Sequence, residues 1–251
     1  MISKIEAIVL KAIDYSETSQ IVWMYTRELG RISAMARGAR RPKSKFGSTL
    51  QPMSHVQAVV YNKEGSQILP LSETSHHTLR RNLSRDLEKI AVGLRVVELV
   101  RGLTQEHDRN EELFDLLIAT LDRLNSTERR TVNVLLFFQM QLAFLLGIGP
   151  DIVKDDVQAI DGDGYLALDT GAVSADGSRG GKRASRQALR TFAILSRADA
   201  QAISRLEITP KVRREVSGLI DAYFQFHFDS AYPNRSEKVI SRLLDMANDD
   251  T

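Results

Sequence analysis

The sequence predicts an α+β protein. An N-terminal five-stranded β-barrel of the oligonucleotide-binding (OB) type over residues 1–80 is followed by an all-α helical domain over 81–251, interrupted by an irregular insertion at 151–184. Three observations carry this. Apolar residues alternate with period 2 over the first eighty residues, and the period changes to 3.6 from about His76. Residues 151–176 break both patterns, with seven Asp against one Lys and glycines at 162, 164 and 171.

The strands are read in order from their alternation: Ile5, Ala7 and Val9; Ile21, Trp23 and Tyr25; Ile32, Ala34 and Ala36; Val56, Ala58 and Val60; and Ile68 to Leu71. Leu29-Gly30 joins the second to the third tightly, Asn62 to Gly65 forms a turn before the fifth, and Arg37 to Pro52 is a long basic loop. Five short strands suit a small Greek-key barrel, in which closure removes the exposed edges. The strand count alone fits an SH3-like barrel nearly as well.

The helical stripes follow. Leu83, Leu87, Ile90, Leu94 and Val97 form the first; Leu113, Leu117, Leu121 and Leu124 the second; Leu135, Phe138, Leu142 and Leu145 or Leu146 the third. Asp108 before Glu111 and Asn125 before Glu128 have capping-box spacing, and Gly147 with Gly149-Pro150 stops the third helix. Helical signals resume at Ser185 (Leu189, Phe192, Ala193) and again after Thr209-Pro210, a threonine cap with proline at the first helical position. Val212, Val216, Leu219, Tyr223 and Phe226 line that helix. A last one starts near Asn234 and buries Val239, Ile240, Leu243 and Leu244.

With 251 residues, 43% of them hydrophobic, the chain can bury a substantial core. It contains no cysteine, which excludes disulfides, thiolate-bound zinc or iron–sulfur clusters, and a thiol nucleophile. No stretch approaches the roughly 20 apolar residues of a membrane span, and the N-terminal residues lack a basic segment followed by an apolar run. A soluble, cytoplasmic protein with no membrane contact is expected.

Charge is the informative property. Between Leu29 and Lys63 there is no acidic residue, yet the segment carries Arg31, Arg37, Arg40, Arg41, Lys43, Lys45 and Lys63. That segment is +7 in a chain whose formal net charge is +2, so the rest sums to about −5 and the positive charge is concentrated, as in a polyanion binder. Guanidinium groups fork onto phosphate oxygens and lysines act as point charges. Trp23, Tyr25, Phe46 and Tyr61 are candidate stacking platforms for bases. A second acid-free stretch, Gly177 to Ala198, carries Arg183, Arg186 and Arg190 on one helical face. It either extends a nucleic-acid track or neutralises the acidic insertion before it.

Catalytic and metal signatures fail when tested. Gly177 to Lys182 lacks the glycine and the hydroxyl residue of a phosphate-binding loop, since Asp176 and Arg183 stand there. Asp161-Gly162-Asp163-Gly164, aligned as a calcium loop, puts Ala159 and Thr170 in ligand positions. The histidines are scattered, and the adjacent pair His76-His77 lacks zinc spacing. No metal, cofactor or catalytic residue is therefore expected. Phe138, Leu142 and Leu146, and the run Tyr223 to Phe228, are apolar enough to suggest a partner groove, although core packing is the better explanation; the second run stands out because consecutive aromatics cannot all face one core on a helix.

The stretch Asp14-Tyr15-Ser16-Glu17-Thr18-Ser19, then Tyr25-Thr26, Leu29-Gly30-Arg31, Ala36-Arg37-Gly38-Ala39-Arg40, Lys43-Ser44 and Leu50-Gln51-Pro52, closely resembles the bacterial RecO recombination-mediator family. The resemblance runs on more faintly through the helices to Leu146-Gly147-Ile148-Gly149. It implies an OB barrel followed by a helical domain, with no enzymatic active site. It also implies binding of single- and double-stranded DNA, annealing of complementary strands and capture of the acidic, apolar-ended tail of single-stranded DNA-binding protein. Association with the RecR ring and help in loading RecA recombinase at the nucleoid complete what it implies. The DNA contact carries over to Arg31, Arg37, Arg40, Arg41, Lys43 and Lys45. For the tail, Phe138, Leu142 and Leu146 are the candidates.

One departure stands out. Many members carry two Cys-x-x-Cys pairs just after the glycines matching Gly147 and Gly149, and this chain has none, which implies a zinc-free version of the domain. Two readings from other classes stay open: an RNA-binding barrel module, and a nucleic-acid-modifying enzyme using acids among residues 151–176.

Overall fold

The computed structural model describes residues 1–61, 65–177 and 181–233, apart from the side chains of Ala200 and Ser204. Lys63, Arg179, most of the Asn62 to Gly65 turn and the helix expected from Asn234 (Val239, Ile240, Leu243, Leu244) lie outside the described residues. The described chain forms two compact units, Met1–Ser126 and a second from Thr127 onward.

The first unit contains five strands: β1 (Ile2–Asp14), β2 (Gln20–Thr26), β3 (Gly30–Ala36), β4 (His55–Tyr61) and β5 (Ile68–Thr78). They pair in the order β1-β2-β3-β5-β4 and close through the β1–β4 pairing, with β3 and β5 parallel and all other pairs antiparallel. This is the expected OB-type barrel. Its interior is filled by Ile5, Ala7, Val9, Val22, Met24, Ile32, Ala34, Ala36, Val56, Ala58, Val60, Leu69 and Leu71, plugged by Phe46 and Leu50 from the β3–β4 loop.

Three readings of this unit need correction. The interior of β2 is made by Val22 and Met24, so Ile21, Trp23 and Tyr25 face outward; both faces of this strand are apolar, and alternation alone cannot tell which is inside. Strand β5 runs on to Thr78, so His76 and His77 lie on a strand and the helical period does not begin there. Helix α1 (Leu87–Leu103) buries Ala91, Val92, Val96, Val97, Leu99, Val100 and Leu103, whereas Leu87 and Leu94 are 62% and 38% exposed. The inward face is thus made mainly of small and β-branched residues, joined by Leu99 and Leu103, while Leu87 and Leu94 turn away. Leu83 belongs to a short 3₁₀ turn, Leu83–Arg85.

Helix α2 (Glu111–Ser126) buries the expected Leu113, Leu117, Leu121 and Leu124. Its N-terminal turn is held by Asn110, whose side chain accepts from the Leu113 backbone N–H at 2.9 Å, not by Asp108. Asn125 likewise caps no following helix. Its side-chain oxygen accepts from the N–H groups of Asn82 and Leu83, tying down the segment that leaves the barrel.

The second unit begins with α3 (Thr131–Leu145), which packs against α5 (Arg186–Arg197), α6 (Ala200–Arg205) and α7 (Pro210–Phe228). Gly147, at φ +77°, ends α3 in the left-handed conformation that glycine adopts without a Cβ penalty. Ser185 and Thr209 cap α5 and α7, accepting from Ala188 and Val212. On α7, Phe224 is buried and Phe226 is 57% exposed, which is why consecutive aromatics could not all line one core.

The insertion is more regular than expected. A short helix α4 (Lys154–Gln158) is followed by three antiparallel strands, β6 (Asp163–Leu166), β7 (Val173–Ser174) and β8 (Lys182–Ser185), in the order β7-β6-β8. Ile152, Val157, Ile160, Leu166 and Val173 are buried beneath it. An apolar mini-core therefore holds this segment without thiolates.

Candidate nucleic-acid interface

The densest run of cations in the first unit, Arg37, Arg40, Arg41, Lys43 and Lys45, sits on the loop between β3 and β4. The loop leaves β3 through a chain of tight turns, closed by Ala39 N–H to Ala36 O at 3.4 Å, Arg41 to Gly38 at 3.2 Å and Ser44 to Arg41 at 2.9 Å. Gly38 supplies the left-handed residue these turns need, at φ +76°. Phe46 and Leu50 then enter the barrel core and anchor the loop, so the cations between them and β3 are displayed on a fixed frame.

Arg37, Arg41, Lys43 and Lys45 are exposed, and among the described residues none of them forms an ion pair with an acid. They remain available to phosphate. Arg40 is placed differently: its Nε lies 3.2 Å from Asp14 Oδ2, its Nη1 donates to Ser16 O at 2.9 Å, and its backbone N–H donates to Thr18 O at 3.1 Å. It clips the basic loop to the β1–β2 loop. Arg31 is a correction. Its Nε donates to Thr104 O at 3.0 Å, its Nη1 is 3.5 Å from Glu106, and its side chain is 17% exposed, so it anchors the segment after α1 and is not open to a phosphate.

The aromatic candidates divide in the same way. Tyr25 is fully buried, stacks on Phe114 of α2 with centroids 6.5 Å apart and donates its hydroxyl to Asn110 O; burial pushes its pKa up to about 12. Phe46 is core. Neither ring can meet a base. Trp23 is half-buried on the outer face and Tyr61 is exposed at the end of β4. The strand registers set Trp23 in a row with Lys11, Ser33 and Ile68, beside a second row formed by Ile13, Ile21, Met35 and Pro70. The second row is apolar and the first sets Trp23 and Ile68 beside Lys11 and Ser33, together forming an outward strip across β1, β2, β3 and β5, and the basic loop starts at Arg37, two residues beyond Met35.

In the second unit, the cations of the acid-free stretch answer the acids before it. Arg183 lies 3.0 Å from Asp163 and Arg186 3.9 Å from Asp161, while Arg197 donates to Ile152 O. Only Arg190 of the suggested second track is exposed and without an ion pair among the described residues. Of the suggested partner groove, Phe138 and Leu142 are fully buried and Leu146 is half-buried, so that surface does not exist as a groove. Sequence reasoning missed a different one. Pro52, Met53, Leu79, Leu83, Ile90 and Leu94 line an open apolar groove of about 470 Å³ in the first unit, with Arg80 and Arg81 at its wall. The signal was present in the helical stripe read for α1, whose Ile90 and Leu94 line this groove.

Residues following Gly149 offer Asp but neither Cys nor His up to Ser185, and the segment closes on its own apolar core, so they do not fit the thiolate zinc site of related chains. A model of the recombination protein O N-terminal domain matches residues 1–78, and one of its C-terminal domain matches residues 84–236. The chain is 46% identical over 245 residues to the DNA repair protein RecO of Salinibacter ruber, covering 96% of this chain and 94% of that one. It is 29% identical over 258 residues to that of Chloroherpeton thalassium (97% and 100% covered), and 32% over 232 residues to that of Anaeromyxobacter dehalogenans strain 2CP-1 (90% and 91%). No helix among the described residues is long and apolar enough to cross a membrane.

Proposed function

Because the chain belongs to the RecO family of DNA repair proteins, whose role is recombination mediation, we propose that it binds single- and double-stranded DNA and anneals complementary strands. With RecR it would help load RecA recombinase onto DNA coated by single-strand-binding protein. It acts in the cytoplasm at the nucleoid and carries out no chemical step.

One observation supports this reading above all others: four exposed cations, Arg37, Arg41, Lys43 and Lys45, on an anchored loop that starts beside an outward strip containing Trp23. In OB folds the β2–β3 face receives unstacked bases. The cations neutralise phosphates and lower the repulsion between two strands, while Trp23 accepts a base by stacking. No base edge is read, so the contact is indifferent to sequence.

Four such contacts on single-stranded DNA give a slope of log K against log salt of about −3, at roughly 0.7 per phosphate. Fluorescence anisotropy of a labelled oligonucleotide across a salt series, together with strand annealing, tests this. Replacing all four cations by alanine flattens the slope and abolishes annealing; an unchanged slope would remove the loop from the interface.

For the tail of single-strand-binding protein we propose the open apolar groove of the first unit, because its apolar floor and the exposed Arg81 at its wall complement an acidic, apolar-ended peptide. Leu94→Glu should abolish binding of such a peptide and leave binding to naked DNA intact. Retained peptide binding would exclude the groove.

A further inference from the structure

We propose that Glu6, His55 and His77 form a binding site for one divalent cation of the zinc type on the outer surface of the barrel. Glu6 lies on β1 between the interior residues Ile5 and Ala7 and so faces outward, as does His55, next to the interior Val56. The third residue arrives by a register shift. Val56 pairs with His76 and His55 with Thr78, which leaves His77 as the extra residue of a β-bulge in β5. A bulge re-aims a side chain, and here it brings the His77 ring over that of His55, with centroids 4.4 Å apart.

The consequence is a cluster in which one ligand atom from each of the three residues lies within 4.8 Å of the others. His55 Nε2 is 2.8 Å from Glu6 Oε1. Zinc bonds of roughly 2.0–2.2 Å in a tetrahedron set ligand atoms about 3.4 Å apart, so the Glu6–His55 pair must open slightly and the exposed His77 settle at the same separation. The ring nitrogens are suitably disposed. His77 Nδ1 is 3.3 Å from Thr78 Oγ1, which fixes the ring and leaves Nε2 for a cation, the usual outer-shell arrangement. His55 is buried, 3% exposed at its side chain; its Nε2 faces Glu6, while its Nδ1 has no hydrogen-bond partner among the described residues.

Charge permits the site. Arg27 sits 3.1 Å from Glu6 but also pairs with Asp115 at 2.8 Å, and Arg80 pairs with Asp122 at 2.7 Å. Two arginines against three carboxylates leave the neighbourhood with one negative charge before a cation enters. Two imidazoles and one carboxylate favour zinc, nickel or cobalt over magnesium or calcium, and leave a fourth position open to water on the exposed His77 side. The ion would cross-link β1, β4 and β5. This site is separate from the thiolate site of related chains and goes beyond the DNA-binding reading.

The test uses full-length protein without a histidine tag, treated with chelator, and titrated with zinc by calorimetry and with cobalt by visible absorption. The expected result is one equivalent bound, a raised melting temperature, and cobalt bands of a low-coordinate nitrogen–oxygen site. His77→Ala, at an exposed position, should weaken binding by more than about tenfold, as should Glu6→Gln, whereas His76→Ala should bind like the parent. Equal affinity in His77→Ala and His76→Ala, or no saturable binding of either metal by the parent protein, would overturn the proposal.

Discussion

The guanidinium of Arg40 lies 3.2 Å from the carboxylate of Asp14 and donates a second hydrogen bond, 2.9 Å long, to the carbonyl of Ser16. One arginine of the basic loop is thus occupied in holding two loops together. Exposed pairs of this kind contribute at most about 1 kcal/mol to stability, so their effect on function should exceed their effect on folding. Asp14→Ala removes a negative charge beside the basic loop and frees Arg40. It should tighten DNA binding at low salt, while Arg40→Ala should cost less affinity than Arg41→Ala. Anisotropy titrations of the three variants decide the order.

Trp23 and Tyr25 face the same way on β2, but only Trp23 is open to solvent. Trp23→Ala should weaken single-stranded DNA binding by about 1–3 kcal/mol, the worth of one stacked base, without altering the salt slope. Tyr25→Ala should instead cost about 3 kcal/mol or more of folding stability, because it removes a fully buried ring packed on Phe114. Urea unfolding beside a binding assay separates the two outcomes.

Gly30 opens β3 at φ +66°, and a Cβ there would lie 2.2 Å from the carbonyl oxygen of Asp108. Gly30→Ala combines a left-handed backbone penalty with a collision against main chain, and should destabilise the first unit by at least about 2 kcal/mol. Gly47→Ala, also at positive φ but with open space around it, should cost only the backbone penalty. A thermal melt of both variants measures the difference.

Burial pushes the hydroxyls of both Tyr25 and Tyr223 up to about pH 12 from an ordinary value of 10. A raised tyrosine pKa means that the folded state favours the neutral form. Its contribution to stability is complete below pH 10 and is lost as the pH rises toward 12. Alkaline unfolding should therefore set in between those values, with tyrosinate absorbance appearing together with loss of structure. Tyr223→Phe should shift the midpoint upward if it keeps the packing against Phe192.

The barrel was legible because its signal is local: inward residues at Ile5, Ala7 and Val9, or at Ile32, Ala34 and Ala36, alternate with outward ones. The site was legible as charge for the same reason, since thirty-five residues without an acid need no structure to be seen. Legibility failed where both faces of an element are apolar, as on β2, where Val22 and Met24 compete with Ile21 and Tyr25. It failed again on α1, where the small residues that permit close packing carry less hydrophobic signal than Leu87 and Leu94, which they leave outside.

Residue type and spacing gave a five-stranded barrel, the helical body, the concentration of positive charge in one loop and the lack of any thiolate ligand, and the resemblance to a known family made the barrel an OB fold. Tertiary structure alone decided which of those cations and rings are free. Arg31 and Arg40 are bound to groups 73 and 26 positions away along the chain, and Tyr25 and Phe46 are covered by partners distant in sequence. Only there, too, did Glu6, His55 and His77 meet, because strand register and one bulge bring together residues that no spacing rule connects.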